Sequence, residues 1–212
     1  MKIKKPTKKT ILQFVLVLFG VTMMGFGLSL LNLTHLGLEA FTCLNLTISK
    51  LLGMSVGNWQ LLLNIVLFII VFIFGRDQIG FGTLANMVLV GYSLEFFSYV
   101  WKFFPGLGVF AESTYGRFVV MVPSLLIFVV AASIYMTCGM GTSPYDATSF
   151  IIAKLFPKVS FTYIRWAYDL SVIALSFLLG GEIGIITIAM AFLLGPTITV
   201  VQRFLERYVL KN

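Results

Sequence analysis

The 212 residues are 59% apolar and only 11% charged, with a mean hydropathy of +1.00. A water-facing domain carries roughly 25% charged residues to solvate its surface, so a soluble fold is excluded and the length counts membrane spans at about 20 residues each. The net charge of +7, from 15 Lys and Arg against 8 Asp and Glu, is distributed between apolar runs rather than over an aromatic-interleaved patch, which sets nucleic acid aside and points to membrane topology.

The first apolar run, residues 11–31, has no charged residue. It is too long for the core of a signal peptide and no small-residue cleavage site follows, so it is expected to remain as a span. The second covers 56–74 and holds Asn58, Gln60 and Asn64; the third covers 79–100 with Glu95. A fourth covers 118–136, a fifth 161–179 with Arg165 and Asp169, and a sixth, charge-free, 183–201. Residues 36–52 and 140–156 are also apolar, but each carries a glycine, several hydroxyl residues and a lysine. A helix of about 13 residues reaches only about 20 Å, short of a hydrocarbon core of about 30 Å. Both are predicted as short re-entrant or interfacial helices, whose backbone ends need protein or a water-filled cavity to satisfy them.

Six spans with the N-terminus in the cytoplasm place Lys2, Lys4, Lys5, Lys8, Lys9, Arg76, Lys154, Lys158, Arg165, Arg203, Arg207 and Lys211 inside, and only Lys50, Lys102 and Arg117 outside. That bias obeys the positive-inside rule. Both termini are therefore expected in the cytoplasm.

The halves resemble each other. Gly37 matches Gly141, Ile48 matches Ile152, Lys50 matches Lys154 and Leu51 matches Leu155 at a spacing of 104. One inserted residue shifts Ser55, Phe72 and Gly75 onto Ser160, Phe177 and Gly180, after which Thr83, Ala85 and Gly91 return to Thr187, Ala189 and Gly195. Three spans per half is an odd number, so the second half must enter the membrane inverted, as in many secondary transporters. The expected fold class is an all-α polytopic membrane protein of six transmembrane helices, arranged as two inverted three-helix repeats with one short helix each. Its divisions are a basic tail at 1–10, repeats at 11–105 and 106–204, and a C-terminal tail at 205–212.

The segment Met140-Gly141-Thr142-Ser143-Pro144-Tyr145-Asp146 carries both a physical signal and a resemblance. Ser143 is a natural N-cap, Pro144 suits the first helical position and Asp146 completes a capping-box-like S-x-x-D. The segment resembles the G-T-S-P-aromatic-D motif of the YczE/YyaS/YitT-like family of small bacterial membrane proteins. Leu179-Gly180-Gly181 and Leu194-Gly195-Pro196 are similar to that family's second half. The first half departs from the pattern, with Leu36-Gly37-Leu38-Glu39-Ala40-Phe41 where the family often repeats the motif. The resemblance implies a bacterial inner-membrane protein and no particular substrate.

Substrate- or ion-binding candidates follow from polar residues at the short elements and inside spans: Gly37, Glu39, Asn64, Gly141, Thr142, Ser143, Asp146 and Asp169. A half-helix presenting its N-terminal end to a cavity is an anion site, and its acid is a cation ligand or simply a cap. Asp169 is repeat-equivalent to Asn64, and an acid inside a membrane helix is costly unless it is functional or paired; Arg165, four residues earlier, can pair with it. Gly20, Gly25 and Gly27 suit close helix packing.

No catalytic constellation stands out. One histidine excludes a multi-histidine metal site, Cys43 and Cys138 lack metal or redox spacing, and there is no phosphate loop or nucleophile elbow. No enzyme activity, metal or cofactor is expected, with a carboxylate-only membrane enzyme as the remaining catalytic option. The leading expectation is a secondary transporter of a small solute by alternating access, with a proton or sodium as candidate coupling ion. The alternatives are the substrate-capture subunit of an ATP-driven vitamin importer and a non-transporting accessory membrane protein. Expected partners are membrane lipid and the solute, with a homodimer as a candidate assembly and nucleic acid excluded.

Overall fold

The computed structural model describes residues 8–208. Lys2, Lys4, Lys5 and Lys211, which weigh in the expected orientation, lie outside the described residues. All regular structure among the described residues is helical. In order come α1 (Lys8–Asn32), α2 (Ala40–Leu52), α3 (Val56–Phe74), α4 (Phe81–Trp101), α5 (Pro105–Glu112), α6 (Thr114–Thr137), α7 (Pro144–Leu155), α8 (Phe161–Leu178) and α9 (Ile185–Tyr208), with a 3₁₀ turn at Arg76–Gln78 before α4.

Among the described residues, four helices are long and apolar enough to cross a membrane: α1, α3, α6 and α9. Helices α4 and α8, also expected to cross, have 21 and 18 residues but are less apolar, because α4 carries Asn86, Ser93 and Glu95 and α8 carries Arg165 and Asp169. The two short apolar stretches form α2 and α7, of 13 and 12 residues. The sequence reading assigned nothing to α5, which begins with Pro105 in its first turn and straddles the expected division at residue 105. Large apolar side chains such as Phe72, Phe74, Phe177 and Leu178 stand exposed on the outer helix faces. In water a surface of this kind would drive association; against lipid it is the required surface.

Helix α1 is the hub. A Cβ added to Gly25 would lie 2.8 Å from the Leu94 backbone nitrogen of α4, and one on Gly27 would lie 3.0 Å from the Phe128 nitrogen of α6. Those glycines let three backbones approach one another, which is how helices gain dispersion contact where no hydrophobic effect acts. Val17, Val21, Leu28 and Leu31 of α1 are fully buried there, with Leu94, Phe128 and Met190 of α4, α6 and α9.

Each half sends a short segment into the other. Leu36 O accepts from Ile186 N at the start of α9 (3.0 Å), and Met140 O accepts from Gly82 N at the start of α4 (2.7 Å). Leu36 and Met140 are 104 residues apart, as are Gly82 and Ile186. Beside these bonds Gly37 has φ +101° and Gly141 has φ +99°. A side chain on Gly37 would meet the Thr187 hydroxyl and Gly184, and one on Gly141 would meet the Thr83 hydroxyl and Gly80. Both glycines are needed twice over, for backbone conformation and for space.

Gly141→Ala therefore carries two penalties and Gly53→Ala only one, since Gly53 has φ +61° but nothing within 4 Å of an added Cβ. Thermal melting in detergent should show Gly141→Ala losing more than about 2 kcal/mol and Gly53→Ala about 1 kcal/mol. Equal losses would show that crowding at this junction does not matter.

Candidate functional site

Beyond α1 the chain turns in over residues 33–39 and returns as α2. His35 at the start of this hairpin and Lys50 near its end both reach Glu182, at 3.4 and 3.2 Å. Convergence on one acid puts Glu39 at the tip. The second short segment is built alike: Thr142 N donates to Gln78 O (3.0 Å) and Lys154 pairs with Asp77 (3.1 Å), so both of its ends meet residues 77–78. Its tip is Ser143. Hydrogen bonds from Lys50 hold the Glu182 carboxyl below its usual range, and hydrogen bonds from Gln78 and then Lys154 do the same for Asp77. Both loop acids are thus anionic partners for the two matched lysines.

The tips face each other. Phe41 and Tyr145, 104 residues apart in the first turns of α2 and α7, stack with ring centroids 4.6 Å apart. Two buried helix N-termini leave unpaired N–H groups that need acceptors. At α2 both Glu39 carboxylate oxygens supply them, accepting from Phe41 N and Thr42 N at 2.8 Å each and from the Thr42 hydroxyl. At α7 the Ser143 hydroxyl accepts from Asp146 N at 3.0 Å. Asp146 does not complete a backbone capping box. Its carboxylate accepts from the Ser143 hydroxyl (2.7 Å) and turns its other oxygen to Arg165 Nη1 (2.5 Å).

Arg165 is the centre of the charge cluster. Its Nε also donates to Asp169 (3.0 Å), the i,i+4 pair expected from sequence. The Tyr145 hydroxyl donates to the other Asp169 oxygen (2.6 Å), and the guanidinium lies 5.2 Å from the centre of the Tyr145 ring. These bonds tie α7 to α8.

A cavity of 420 Å³ opens beside the cluster. Its charged lining is Glu39, Asp146, Asp169 and Arg165, with Gln60 and Asn86 from α3 and α4 and Tyr135 from α6. Phe150, Phe161, Trp166 and Phe192 form its aromatic wall. One end reaches the exposed residues Phe161, Thr162 and Thr199. Gln60 Oε1 and the Tyr135 hydroxyl are buried without a hydrogen-bond partner, which marks space meant for something polar.

Of the residues selected from sequence, Glu39, Ser143, Asp146 and Asp169 line this cavity; Gly37, Asn64, Gly141 and Thr142 do not. Gly37 and Gly141 are junction residues, and Thr142 is bound to Gln78. Asn64 is fully buried on α3, where its Nδ2 donates to Met87 O at 3.4 Å. Sequence reasoning missed Gln60 and Tyr135 and saw in Arg165 only a partner of Asp169. The signal for Gln60 was present: Gln60 and Arg165 are 105 residues apart, the same register as Asn64 and Asp169. No group of three or more His, Cys, Asp or Glu among the described residues could hold a metal ion.

Residues 11–203 match the family of unknown function DUF6198. The chain is 24% identical to the uncharacterized membrane protein YczE of Bacillus subtilis over 89% of this chain and 84% of that one. It is 27% identical to an uncharacterized protein of Haemophilus influenzae over 90% and 82%, and 24% identical to the uncharacterized protein YyaS of Bacillus subtilis over 91% and 94%. No solved structure matches it significantly. The YczE/YyaS resemblance and the membrane class are thereby established.

Removing Arg165 should be worse than removing the whole cluster. Arg165→Gln strands Asp146 and Asp169, whose side chains are 25% and 7% exposed, at a cost of about 3–5 kcal/mol. Adding Asp146→Asn and Asp169→Asn should recover most of it, read by thermal melting in detergent. Equal melting of the single and triple variants would show that charge balance does not hold α7 to α8.

Proposed function

We propose, for a chain that belongs to the DUF6198 family of unknown function, that it is a secondary transporter of a small solute across the bacterial inner membrane. Helices α1, α3, α4, α6, α8 and α9 are the six spans, with both termini cytoplasmic, and α2 and α7 are re-entrant from opposite sides. The cavity between their tips holds the solute.

One observation carries this reading: equivalent seams in the two halves differ. Along the α3–α4 seam Gly91 lies against Gln60, so that an added Cβ would be 3.0 Å from Oε1. Tyr92 donates to Asn58 (2.7 Å) and Gly57 N donates to Glu95 (3.1 Å) across the same seam. At the equivalent α8–α9 seam an added Cβ on Gly195 would have nothing within 4 Å, and the cavity lies there instead. Two like halves in unlike states are what alternating access by inverted repeats requires, the states being exchanged when the protein turns over. The recurring bonds Leu36–Ile186 and Met140–Gly82 support the repeat. The clusters at Glu182 and Asp77 support the placement of α2 and α7 at opposite faces.

In this conformation the cavity leads towards Thr162 and Gln202, the cytoplasmic end in the proposed topology. Closure would bring Gly195 towards Arg165 as Gly91 now lies against Gln60. Gly195→Leu fits the open seam and blocks its closure. Spin labels on Thr162→Cys and Gln202→Cys, in a Cys43→Ser and Cys138→Ser background, should give two distance populations in liposomes. Adding Gly195→Leu should leave only the longer. A single population in both proteins would sink alternating access.

The topology is tested separately. A cysteine replacing Lys158 should react with an impermeant maleimide only from the cytoplasm, and one replacing Lys102 only from outside. Reaction of position 158 in intact cells would overturn the six-span arrangement.

A further inference from the structure

We propose that the central cavity binds a primary organic ammonium ion carried on an aromatic or apolar body. The transport reading above decides only what becomes of the bound molecule, not whether it binds.

Glu39, Asp146 and Asp169 line the cavity against one cation, Arg165. Arg165 is already committed to two of these acids, at 2.5 and 3.0 Å. The lining is therefore anionic by two charges when its acids are ionised. Uncompensated charge in so apolar a setting is expensive, and a bound cation offsets it. The same balance excludes an anion: the two short-helix N-termini, which would otherwise attract one, are covered by Glu39 and by Ser143 with Asp146.

Unpartnered polar atoms point the same way, independently of charge. Gln60 and Tyr135, each 2% exposed, are among the lining residues, and the Gln60 Oε1 and the Tyr135 hydroxyl have no hydrogen-bond partner. An amide oxygen only accepts. It therefore calls for a hydrogen-bond donor or a cation, and an ammonium ion is both at once.

Shape is a further constraint. The walls contributed by Phe41, Trp166 and Phe192 are ring surfaces, and 420 Å³ lies within the range of small-molecule sites, about 300–1,000 Å³. Ring faces attract cations as well as apolar bodies, and the Arg165 guanidinium already lies near one such ring, that of Tyr145.

Three probes of nearly one size separate these ideas: tryptamine, 3-ethylindole and indole-3-propionate, which are cationic, neutral and anionic at pH 7. Binding of each to the purified full chain in lipid nanodiscs is read by isothermal titration calorimetry and by the shift in melting temperature. Tryptamine should bind saturably and at least about tenfold more tightly than either analogue, a difference of about 1.4 kcal/mol. Glu39→Gln and Gln60→Leu should each weaken it by about tenfold or more. Gln60→Leu removes a group with an unsatisfied oxygen, so it should fold as well as the parent and keeps the test open should Glu39→Gln unfold. Equal binding of the three probes, tighter binding of the anion, absence of saturable tryptamine binding at millimolar concentration, or indifference to Gln60→Leu would each overturn the assignment. Failure of transport is distinguishable: tryptamine that binds in nanodiscs but is not moved into liposomes leaves the site standing and removes the carrier.

Discussion

A backbone N–H buried out of reach of water must find an acceptor, and this chain buries two helix N-termini against each other. Neither α2 nor α7 is long enough to carry its polar ends to both surfaces, so the acceptors have to be built in at the tips. Glu39 provides them at one end, Ser143 at the other. That requirement brings an acid into the middle of the protein. Asp146, the next polar group at the second tip, brings another. Arg165 on α8 is then the counter-charge that makes the arrangement tolerable, and Asp169 and Tyr145 fix its orientation. The charge cluster is thus a consequence of ending two helices inside the protein.

The ends of the hairpins follow a related logic at the rim. Lys50 and Lys154 cap the last turns of α2 and α7, where a cation opposes the helix dipole. Each meets an acid in the loop before a long helix of the other half, Glu182 before α9 and Asp77 before α4. Individually such exposed pairs contribute little, because water screens them. Their value is positional. They tie the C-terminal end of each short helix to the loop it meets.

Much of the fold could be read from the sequence because the bilayer leaves few options. Apolar length marked the runs that became α1, α3, α6 and α9, and insufficient length marked α2 and α7 as something other than spans. Gly37 and Gly141 were visible as a matched pair, and the structure gives both the same left-handed conformation. The i,i+4 contact of Arg165 with Asp169 was legible since a helix fixes it locally. The contact of Arg165 with Asp146 was not, because it depends on how two helices pack. Gln60 and Tyr135 were hidden for the opposite reason: an amide and a phenol in a membrane helix look like ordinary interior residues until their oxygens are found without partners. Helix α5 escaped notice because its residues, rich in Gly and Phe around Pro105, have no helical period strong enough to register.

The two halves are alike in path but not in charge. Where α3 carries Gln60 and Asn64, α8 carries Arg165 and Asp169 at the equivalent positions. In the packed α3–α4 seam a neutral amide pair is buried against Gly91 and Met87 without net charge, although the side-chain oxygen of each goes without a partner. The same packing at the α8–α9 seam would strip water from a guanidinium and its carboxylates, and the cost of burying ions rises steeply unless they are balanced. On the proposed reading, closure of the second seam is therefore harder than closure of the first while the acids outnumber Arg165. Any bound cation, or proton, that neutralises the excess lowers that barrier. On that reading, charge in place of amide at these positions makes the exchange between conformations depend on what the cavity contains.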